Sequence, residues 1–566
     1  IPHFLSILYD PHYYLRVNVV LSHRAEPLTM PTFDVPYFRY IDDEGTEGEE
    51  EWSSSRSLSS IDEDSSTDSV VSDRYVVVSG TPEKILEHLL NDMTLDEEQD
   101  TLLDDFLLTY PVFMSTSDFC QALLGQYPSI QEYYNIPSHL MNPRRKQKVL
   151  HLVSQWVSLC RDFLREDEHV KLFMKTLCHY VLDDLYEHPA LERDVRELQQ
   201  LYRPQRRHKV LFHQLSLKEN GLQSRGTQRE GKEVLCHVYI TMDSYLSMKA
   251  HEGVVTQELL QAAADRMDVP QGELVLVAGG RLLLQPHDRV FSDSSRPVGR
   301  LHVCRKDLGE ILNPFTDNSE LQQRTARLLS LNTWDVAVAL TNFDWTIFDS
   351  VHEQELVYFT FSRHSSSGHT VALELLLQRC DEVQLWVMTE VLLCPMLCKR
   401  VQLIKKFIKI AAHCKAQRNL NCFFAIIMGL NAAAVSRLSQ TWEKIPGKFK
   451  KLFSELETIT DPSLNHKAYR DSFKKMKAPK IPFIPLLLKD ITFIHEGNKT
   501  FHDNLVNFEK LHMIAETVRI IRQCQKDHMG QCSKSSPEVR AYIDYLHIID
   551  NQQTLFELSH RLEPRA

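Results

Sequence analysis

Hydrophobic residues recur every three or four positions over most of the chain, a spacing that predicts a mainly helical protein. The clearest case is RVQLIKKFIKIAAHCKAQ at 400–417, whose apolar residues form one broad face while Lys405, Lys406 and Lys409 lie opposite. The same periodicity marks residues 74–210, where a Thr-Pro pair at 81–82 has the residue types of a helix start. We therefore predict an all-helical domain over 74–210 and a second helical region from about residue 333 to the end.

Residues 233–306 follow a different pattern. Apolar residues from Val234 to Ile240 alternate with polar or mixed neighbours, which indicates a strand. A helical stretch at 256–267 comes next, followed by two apolar runs joined by a Gly-Gly pair at 279–280, a hairpin signal. The order strand-strand-helix-strand-strand-strand predicts a ubiquitin-like α+β domain, a fold that offers a strand edge to a partner.

The first 73 residues are expected to be a disordered, acidic tail. Residues 42–73 consist mainly of Glu, Asp and Ser, and they bury too little apolar surface to offset the entropy of ordering. They are either a solvated tail or a phosphorylatable regulatory segment. The formal net charge of the 566 residues is -12, which argues against nucleic-acid binding over a broad surface.

The 12 cysteines are scattered, many of them in apolar helical stretches, which favours a reducing, cytoplasmic location. Cys394 and Cys398 stand four apart with His413 downstream, but a zinc site needs two more ligands nearby, so core packing is favoured. No apolar run approaches the ~20 residues that cross a bilayer, and we expect no cleaved signal peptide. Lysines cluster over 444–480, either as a solvated surface or as a face for acidic lipid or an acidic partner.

Motifs for covalent chemistry are absent from the sequence. There is no phosphate-binding loop, no HExxH, no GxSxG and no kinase signature, and the pairs at 352–353 and 495–496 (His-Glu in both) are isolated. We therefore expect no cofactor and no metal, and we predict that the chain is not an enzyme in the sense of covalent chemistry.

The stretch KIPFIPLLLKDITFIHEGNKTF at 480–501 predicts a helical hairpin. Two prolines allow a helix to start but not to continue through them, and Leu486–Ile494 makes an apolar first arm. Glu496 and Gly497 end this arm, the glycine supplying the positive φ of a turn, and residues 504–510 begin the return arm. The hairpin would present one carboxylate at its tip.

Two stretches resemble the catalytic domain of Ras-family guanine nucleotide exchange factors. They are the scaffold region at 400–446 and the 480–501 stretch, where Pro-Phe at 482–483, Leu488 and Asp-Ile at 490–491 match a signature element of that family. SGTPEKILEHLL and DDFLLTYPVFM resemble the Ras exchanger motif domain, and the middle region resembles a Ras-association domain. PLLLKDITFIHEGN, NLVNFEKL and IIDNQQ are similar to the Epac/Repac group of Rap exchange factors.

The resemblance implies a multidomain, mainly α protein. It would contain an all-helical N-terminal Ras exchanger motif domain at 74–210, a ubiquitin-like α+β Ras-association domain at 233–306, and an all-helical Ras-exchange-factor catalytic domain at 333–566. Epac proteins carry a cyclic-nucleotide-binding domain before the SGTPEKILE stretch, where this chain has the acidic segment. We therefore expect a member of this group with no direct cyclic AMP site.

The implied function is exchange of GDP for GTP on a Rap-type GTPase, with the hairpin opening the nucleotide site. GTP-bound Ras or M-Ras would recruit the cytoplasmic protein to membranes through the middle domain, and a nuclear pool is compatible with this. The alternative is a non-catalytic scaffold that binds GTPases through a degenerate exchange domain.

The resemblance also assigns roles to individual residues. Glu496 matches the hairpin carboxylate, and Thr492 stands where some Ras exchangers carry a bulky apolar residue that crowds the metal site. Threonine is smaller and polar, which fits Rap rather than Ras as substrate. Asn421, Lys489 and Asn498 are the expected GTPase-binding residues.

Overall fold

The computed structural model describes most of the helical regions and the middle sheet. The described residues are 38–39, 79–92, 101–127, 143–160, 167–185, 188–202, 233–240, 244–251, 253–267, 271–278, 282–291, 300–305, 325–361, 370–526, 528 and 535–564. The predicted tail at 1–73 lies outside them, except for strand β1 (Phe38–Arg39), which pairs with β2 (Ser79–Gly80).

The N-terminal region is helical, as predicted. Its helices are α1 (Pro82–Asp92), α2 (Thr101–Thr109), α3 (Thr116–Gln126), α4 (Pro143–Leu159), α5 (Glu168–Asp184) and α6 (Glu192–Tyr202). Trp156 lies at the centre of their core, with its ring edge-on to Phe119 at 4.8 Å between centroids. The Asp167 side chain caps α5 by accepting from two backbone N–H groups.

The middle region forms a sheet with one helix. The elements are β3 (Glu233–Tyr239), β4 (Ser244–His251), α7 (Thr256–Met267), β5 (Leu274–Ala278), β6 (Leu282–Leu284) and β7 (Leu301–Arg305). This element order agrees with the one predicted. The strand order is β4-β3-β7-β5-β6, with β3 and β7 parallel and the other pairs antiparallel.

A sixth strand joins this sheet from the C-terminal region. Strand β10 (Tyr545–Ile549) pairs antiparallel with β4 along its full length. Leu546, Ile548 and Ile549 are fully buried, and the Ile549 N–H donates to the Thr389 hydroxyl oxygen. A fold of this type was expected to offer a strand edge to a partner, and the β4 edge is covered by the chain itself, which leaves β6 at the other edge of the described sheet.

The C-terminal region is mainly helical, but it is not the all-helical domain that the sequence predicts, because a short strand pair at 501–507 and strand β10 lie within it. Its helices are α8 (Thr333–Phe348), α9 (Glu353–Phe361), α10 (Val371–Leu392), α11 (Leu397–Ala416), α12 (Leu420–Asn431), α13 (Ala433–Ser436), α14 (Ser439–Glu443), α15 (Gly447–Thr460), α16 (Ser463–Lys475), α17 (Ile484–Gly497), α18 (Phe508–Gln525), α19 (Pro537–Ile543) and α20 (Gln552–Leu562). None of the helices in the described ranges is long and apolar enough to cross a membrane.

Helix α11 shows one departure from its predicted pattern. Lys405 and Lys409 lie on its outer face, but Lys406 is only 8% exposed. Its ammonium donates to the backbone oxygens of Leu329 and Leu331. The pKa of Lys406 is lowered by burial and by the charge of Lys409.

Gly429 allows α10 and α12 to pack closely. A Cβ at this position would lie 2.8 Å from the Gln384 carbonyl oxygen and 2.9 Å from the Val387 Cβ, both on α10. We expect Gly429→Ala to lower the free energy of unfolding by about 1–3 kcal/mol, because the backbone must move to relieve this overlap. Urea unfolding measures the change.

Gly125→Ala is the matched control for this prediction. Gly125 also lies in a helix, α3, but nothing lies within 4 Å of the Cβ that alanine would add there. Alanine at this position is expected to be neutral or to stabilise by about 0.5–1 kcal/mol. Equal effects of the two substitutions would contradict the packing argument.

Candidate functional site

Helix α17 begins at a rigid joint with the C-terminal core. Phe483, its N-cap residue, stacks on Phe424 of α12 with 4.1 Å between ring centroids. The Phe483 backbone N–H donates to the Tyr469 hydroxyl at 3.0 Å. The apolar residues of the helix's first half are buried, so the arm is fixed along this part.

A bidentate ion pair holds the middle of α17. Two nitrogens of the Arg470 guanidinium donate to the two carboxylate oxygens of Asp490 at 2.7 and 2.9 Å. Paired hydrogen bonds of this kind fix orientation as well as distance. Helix α16 therefore sets the rotation of the arm about its own axis.

The far end of the hairpin differs from its predicted form. Gly497 remains within α17, and its φ is not positive. The chain reverses instead at Asp503 and Asn504, with φ of 47° and 67°, between β8 (Phe501–His502) and β9 (Leu505–Asn507). Asp and Asn tolerate this left-handed conformation better than most residues, so no glycine is needed.

The N-terminal helices brace the return arm α18. Asp105 of α2, which is buried, pairs with His512 at 2.6 Å and also with Arg519. Asp104 pairs with Arg519 at 2.7 Å. Burial raises the pKa of Asp105, and the hydrogen bond with His512 and the charge of Arg519 oppose that rise.

The strands at the tip strengthen the brace. β9 pairs with β2, so the hairpin tip and the N-terminal region share a four-stranded sheet of order β1-β2-β9-β8. Val506, Phe508 and Leu511 lie in the same hydrophobic core as the N-terminal helices. The hairpin is thus supported at α17 by the C-terminal core and at α18 and β9 by the N-terminal region. These contacts hold it more rigidly than a free loop.

The predicted residues on α17 lie along the outer half of the arm. Glu496 is exposed and makes no hydrogen bond or ion pair to any described residue. The Thr492 hydroxyl donates to the Leu488 carbonyl at 2.8 Å, within the helix. The Lys489 ammonium lies 5.4 Å from the centroid of the Phe493 ring.

Two predicted GTPase-binding residues are less open than expected. The Asn498 amide donates to the Ile494 carbonyl at 2.9 Å and so caps the end of α17. Asn421, on α12, is 1% exposed, and neither side-chain polar atom has a hydrogen-bond partner in the described part of the chain. Their proposed contact with a GTPase stays a prediction, and Asn421 would reach a partner only if its surroundings shift.

The structure adds features that sequence reasoning missed. Phe493, on the last turns of α17, is 47% exposed, and Phe501 of β8 is 43% exposed, so this end of the hairpin presents apolar surface as well as the charge of Glu496. Lys510 is buried beneath the tip and contacts the last turn of α17. A lysine in a helix gives no sequence signal of such burial.

A left-handed turn lies at the start of α16. Leu464, Asn465 and His466 have φ of 53°, 55° and 56°, and Leu464 is 81% exposed. Arg470 donates to the Asn465 backbone oxygen at 2.8 Å and to Asp490 of α17, so this turn lies next to the arm. The pKa of His466 is lowered by burial and by the charges of Lys489 and Arg470. Such strained conformations are found more often at functional sites than elsewhere.

Comparisons with known proteins agree with this arrangement. The RasGEF domain model matches residues 335–512, and the RasGEF N-terminal motif model matches residues 76–178. Together with the braced hairpin, these matches define a guanine nucleotide exchange factor with a catalytic RasGEF domain and an N-terminal RasGEF motif, a class that acts in small-GTPase signalling.

Full-length relatives narrow the class. Human Rap guanine nucleotide exchange factor 5 is 62% identical over an alignment of 580 positions that covers 99% of each chain. Human Rap guanine nucleotide exchange factor-like 1 is 38% identical over 85% of this chain and 76% of its own, and human Rap guanine nucleotide exchange factor 3 is 36% identical over 87% of this chain and 58% of its own. The chain belongs to the Rap guanine nucleotide exchange factor family.

This membership corrects one sequence-based prediction. The sequence predicts that the chain is not an enzyme in the sense of covalent chemistry, but the match to a RasGEF domain and the similarity to Rap guanine nucleotide exchange factors place it among catalysts, those of guanine nucleotide exchange. The alternative of a non-catalytic scaffold is not favoured by the same matches. Within the described residues, no group of three or more potential metal ligands is present.

Proposed function

We propose that this chain releases GDP from a Rap-type GTPase and lets GTP load, with the α17–α18 hairpin opening the nucleotide site. The observation that carries the proposal is the position of Glu496, an exposed carboxylate at the end of a helix that is anchored at its start and braced behind. A rigid arm can transmit force to a partner, whereas a mobile loop would bend.

The carboxylate would act on the phosphate site. It competes with the nucleotide phosphates for their protein ligands and repels the phosphates themselves. Two unit charges ~4 Å apart at an effective dielectric constant of ~20 interact by about 4 kcal/mol. Because the exchange factor weakens the binding of nucleotide to the GTPase, bound nucleotide weakens the binding of the exchange factor by the same factor. Exchange therefore proceeds in either direction.

The neighbouring residues would form the rest of the contact surface. The Thr492 hydroxyl is bonded within the helix, so the small methyl group would be what this side chain presents near the metal site of the bound GTPase. Lys489 and Asn498 would contact the GTPase along the arm, and Asn421 would do so from α12. The exposed Phe493 supports an apolar contribution to the same interface.

Release of fluorescent GDP from purified Rap tests the proposal. We expect the full chain to accelerate release from Rap more than from Ras or M-Ras. Binding to Rap with no acceleration would instead support a scaffold with a degenerate exchange domain. No effect on any of the three GTPases would reject the proposed function.

The middle region is proposed to be a ubiquitin-like Ras-association domain that binds GTP-bound Ras or M-Ras. The strand order with a parallel central pair and one helix supports this assignment. Because β10 already covers β4, a recruiting GTPase would have to displace β10 or use another surface. Binding of GTP-loaded Ras or M-Ras, but not their GDP forms, is the expected result, and equal binding of both forms would contradict it.

The remaining proposals concern regulation and location. The chain is proposed to be Repac-like, without direct cyclic AMP binding, and to be a cytoplasmic protein that GTP-bound Ras or M-Ras recruits to membranes, with a nuclear pool allowed. Cyclic AMP added to the release assay should leave the rate unchanged. Activation by cyclic AMP, or membrane association independent of GTP-loaded Ras, would contradict these proposals.

A further inference from the structure

Lys510 lies beneath the tip of the hairpin, on the first turn of α18. The residue is 1% exposed, and its ammonium contacts the far end of α17. The nitrogen lies 3.1 Å from the His495 backbone oxygen and 2.8 Å from the Asn498 backbone oxygen. It also lies 2.9 Å from the Thr500 hydroxyl oxygen and 2.9 Å from the His495 Nδ1.

These contacts hold the backbone on both sides of Glu496. The two carbonyls that accept from Lys510 belong to residues on either side of it, one position before and two positions after. The last carbonyls of a helix have no partner within the helix, and a cation near them also interacts favourably with the helix dipole. One side chain from the return arm therefore fixes the backbone that carries the exposed carboxylate.

The neighbours of Lys510 are held in turn. The His495 ring packs edge-on against Phe361 of α9, with 4.4 Å between centroids. Acceptance at Nδ1 leaves the proton of a neutral His495 on Nε2. The Asn498 amide caps the Ile494 carbonyl of the same turn. The tip is thus a compact polar joint centred on one ammonium.

We propose that Lys510 is a positioning residue for nucleotide exchange: its ammonium joins the two arms of the hairpin and holds Glu496 at the end of α17. This inference rests on the proposed function, in which Glu496 enters the nucleotide site. Lys510 is buried in the free protein and acts through Glu496.

The ammonium is needed in its charged form. Four acceptors face a group that has three N–H donors when protonated and two when neutral. Burial lowers the pKa of Lys510 to about 8, and the charge of Glu496 opposes that drop. His495 of α17 is the titratable side chain that contacts the ammonium. Other titratable groups on the neighbouring elements include Glu496 of α17, His502 of β8, Glu509 and His512 of α18, and Asp104 and Asp105 of α2.

The sign of the pH effect follows from this geometry. Below pH 8 the ammonium makes its contacts and the tip is held, whereas above pH 8 the neutral amine leaves acceptors unpaired. We therefore expect the acceleration of GDP release to be half lost near pH 8 and to continue falling as the pH rises. The rate of GDP release from the GTPase alone is measured at each pH and subtracted from the rate with the exchange factor present.

Two variants of Lys510 and a control test the proposal. Lys510→Met keeps the side-chain length and removes the donors, Lys510→Arg keeps a charge that does not titrate, and Lys175→Met changes an exposed lysine of α5. We expect Lys510→Met to lower the maximal release rate about tenfold or more, because charge-assisted hydrogen bonds are lost, with a smaller change in KM for the GTPase. Lys510→Arg should recover part of the rate and give a flat pH profile, and Lys175→Met should match wild type.

The outcomes separate this inference from the proposed function. If wild type does not accelerate release at any pH, the proposed function fails. If wild type accelerates release but Lys510→Met is equally fast, or the wild-type profile is flat from pH 7 to about 9.5, Lys510 has no positioning role. If Lys510→Met fails to fold, the pH profiles of wild type and Lys510→Arg are compared instead. A fall above pH 8 in wild type alone supports the positioning role, and identical profiles contradict it.

Discussion

Replacing Glu496 with alanine is expected to lower the maximal rate of GDP release from Rap by at least about tenfold, which corresponds to a loss of about 1.4 kcal/mol of transition-state stabilisation. The carboxylate is exposed and unbonded in the described structure, so its charge is available to a partner. Glu496→Gln keeps the shape and removes the charge. If charge opposition to the phosphates is the cause, the Gln variant will be nearly as slow as the Ala variant.

Folding should not be affected by these substitutions. Exposed positions without specific contacts usually change the free energy of unfolding by within about 0.5 kcal/mol. Glu455→Ala, on the exposed face of α15, is the matched control and is expected to leave both release and stability unchanged. A Glu496→Ala protein with the wild-type release rate would remove this residue from the mechanism.

Replacing Glu382 with alanine is expected to lower the free energy of unfolding by about 3–5 kcal/mol, because a buried cation then loses its partner. Glu382 of α10 is 1% exposed and accepts from the Ser247 hydroxyl of β4 at 2.7 Å. Its other oxygen lies 2.7 Å from His237 Nε2 of β3. The Arg379 guanidinium lies 3.6 Å from the oxygen that accepts from Ser247. Arg379 is itself 1% exposed and cannot recover hydration.

The pKa of Glu382 supports this prediction. Burial raises it, but the hydrogen bond with His237, the charge of His237 and the charge of Arg379 together lower the net pKa below its ordinary value. A carboxyl with a lowered pKa contributes stability above its unfolded pKa, and this contribution is lost as the pH falls through the folded value. Acid should therefore reduce the stability of wild type more than that of Glu382→Ala.

Unfolding in urea, combined with hydrogen exchange, measures the effect and its location. Exchange should increase in β3 and β4, since Glu382 ties both strands to α10. Glu557→Ala, an exposed residue of α20, is the control, with an expected change within about 0.5 kcal/mol. Equal unfolding free energies for Glu382→Ala and wild type would mean that the middle sheet and the C-terminal helices are not coupled through this carboxylate.

The helical parts of the fold were predictable because apolar periodicity is a local property. The apolar face of α11, from Val401 to Ala411, is buried as expected, and the predicted order of the middle elements agrees with the structure. The hairpin was also predictable, since two prolines and an apolar run define the start of α17. Its turn was misplaced because Asp503 and Asn504 adopt the positive φ that a glycine was expected to supply.

Contacts between distant segments could not be predicted. Nothing near Lys510 or Lys406 in sequence distinguishes a buried lysine from a solvated one, because each ammonium meets backbone oxygens of another segment. The pairing of β10 with β4 joins residues about 300 positions apart, and neither strand carries a signal for the other. Asn421 was expected to face a partner, but packing buries it.

The sequence by itself determined the helical class, the middle strands, the hairpin and the carboxylate near its end, because each depends on neighbouring residues and their periodicity. Only the tertiary structure decided that the hairpin is braced by α2 and β2, that one lysine holds its tip, and that the C-terminal region closes the edge of the middle sheet. These features depend on burial and charge pairing between segments far apart in the chain, where the energy of a contact depends on the surroundings that folding creates.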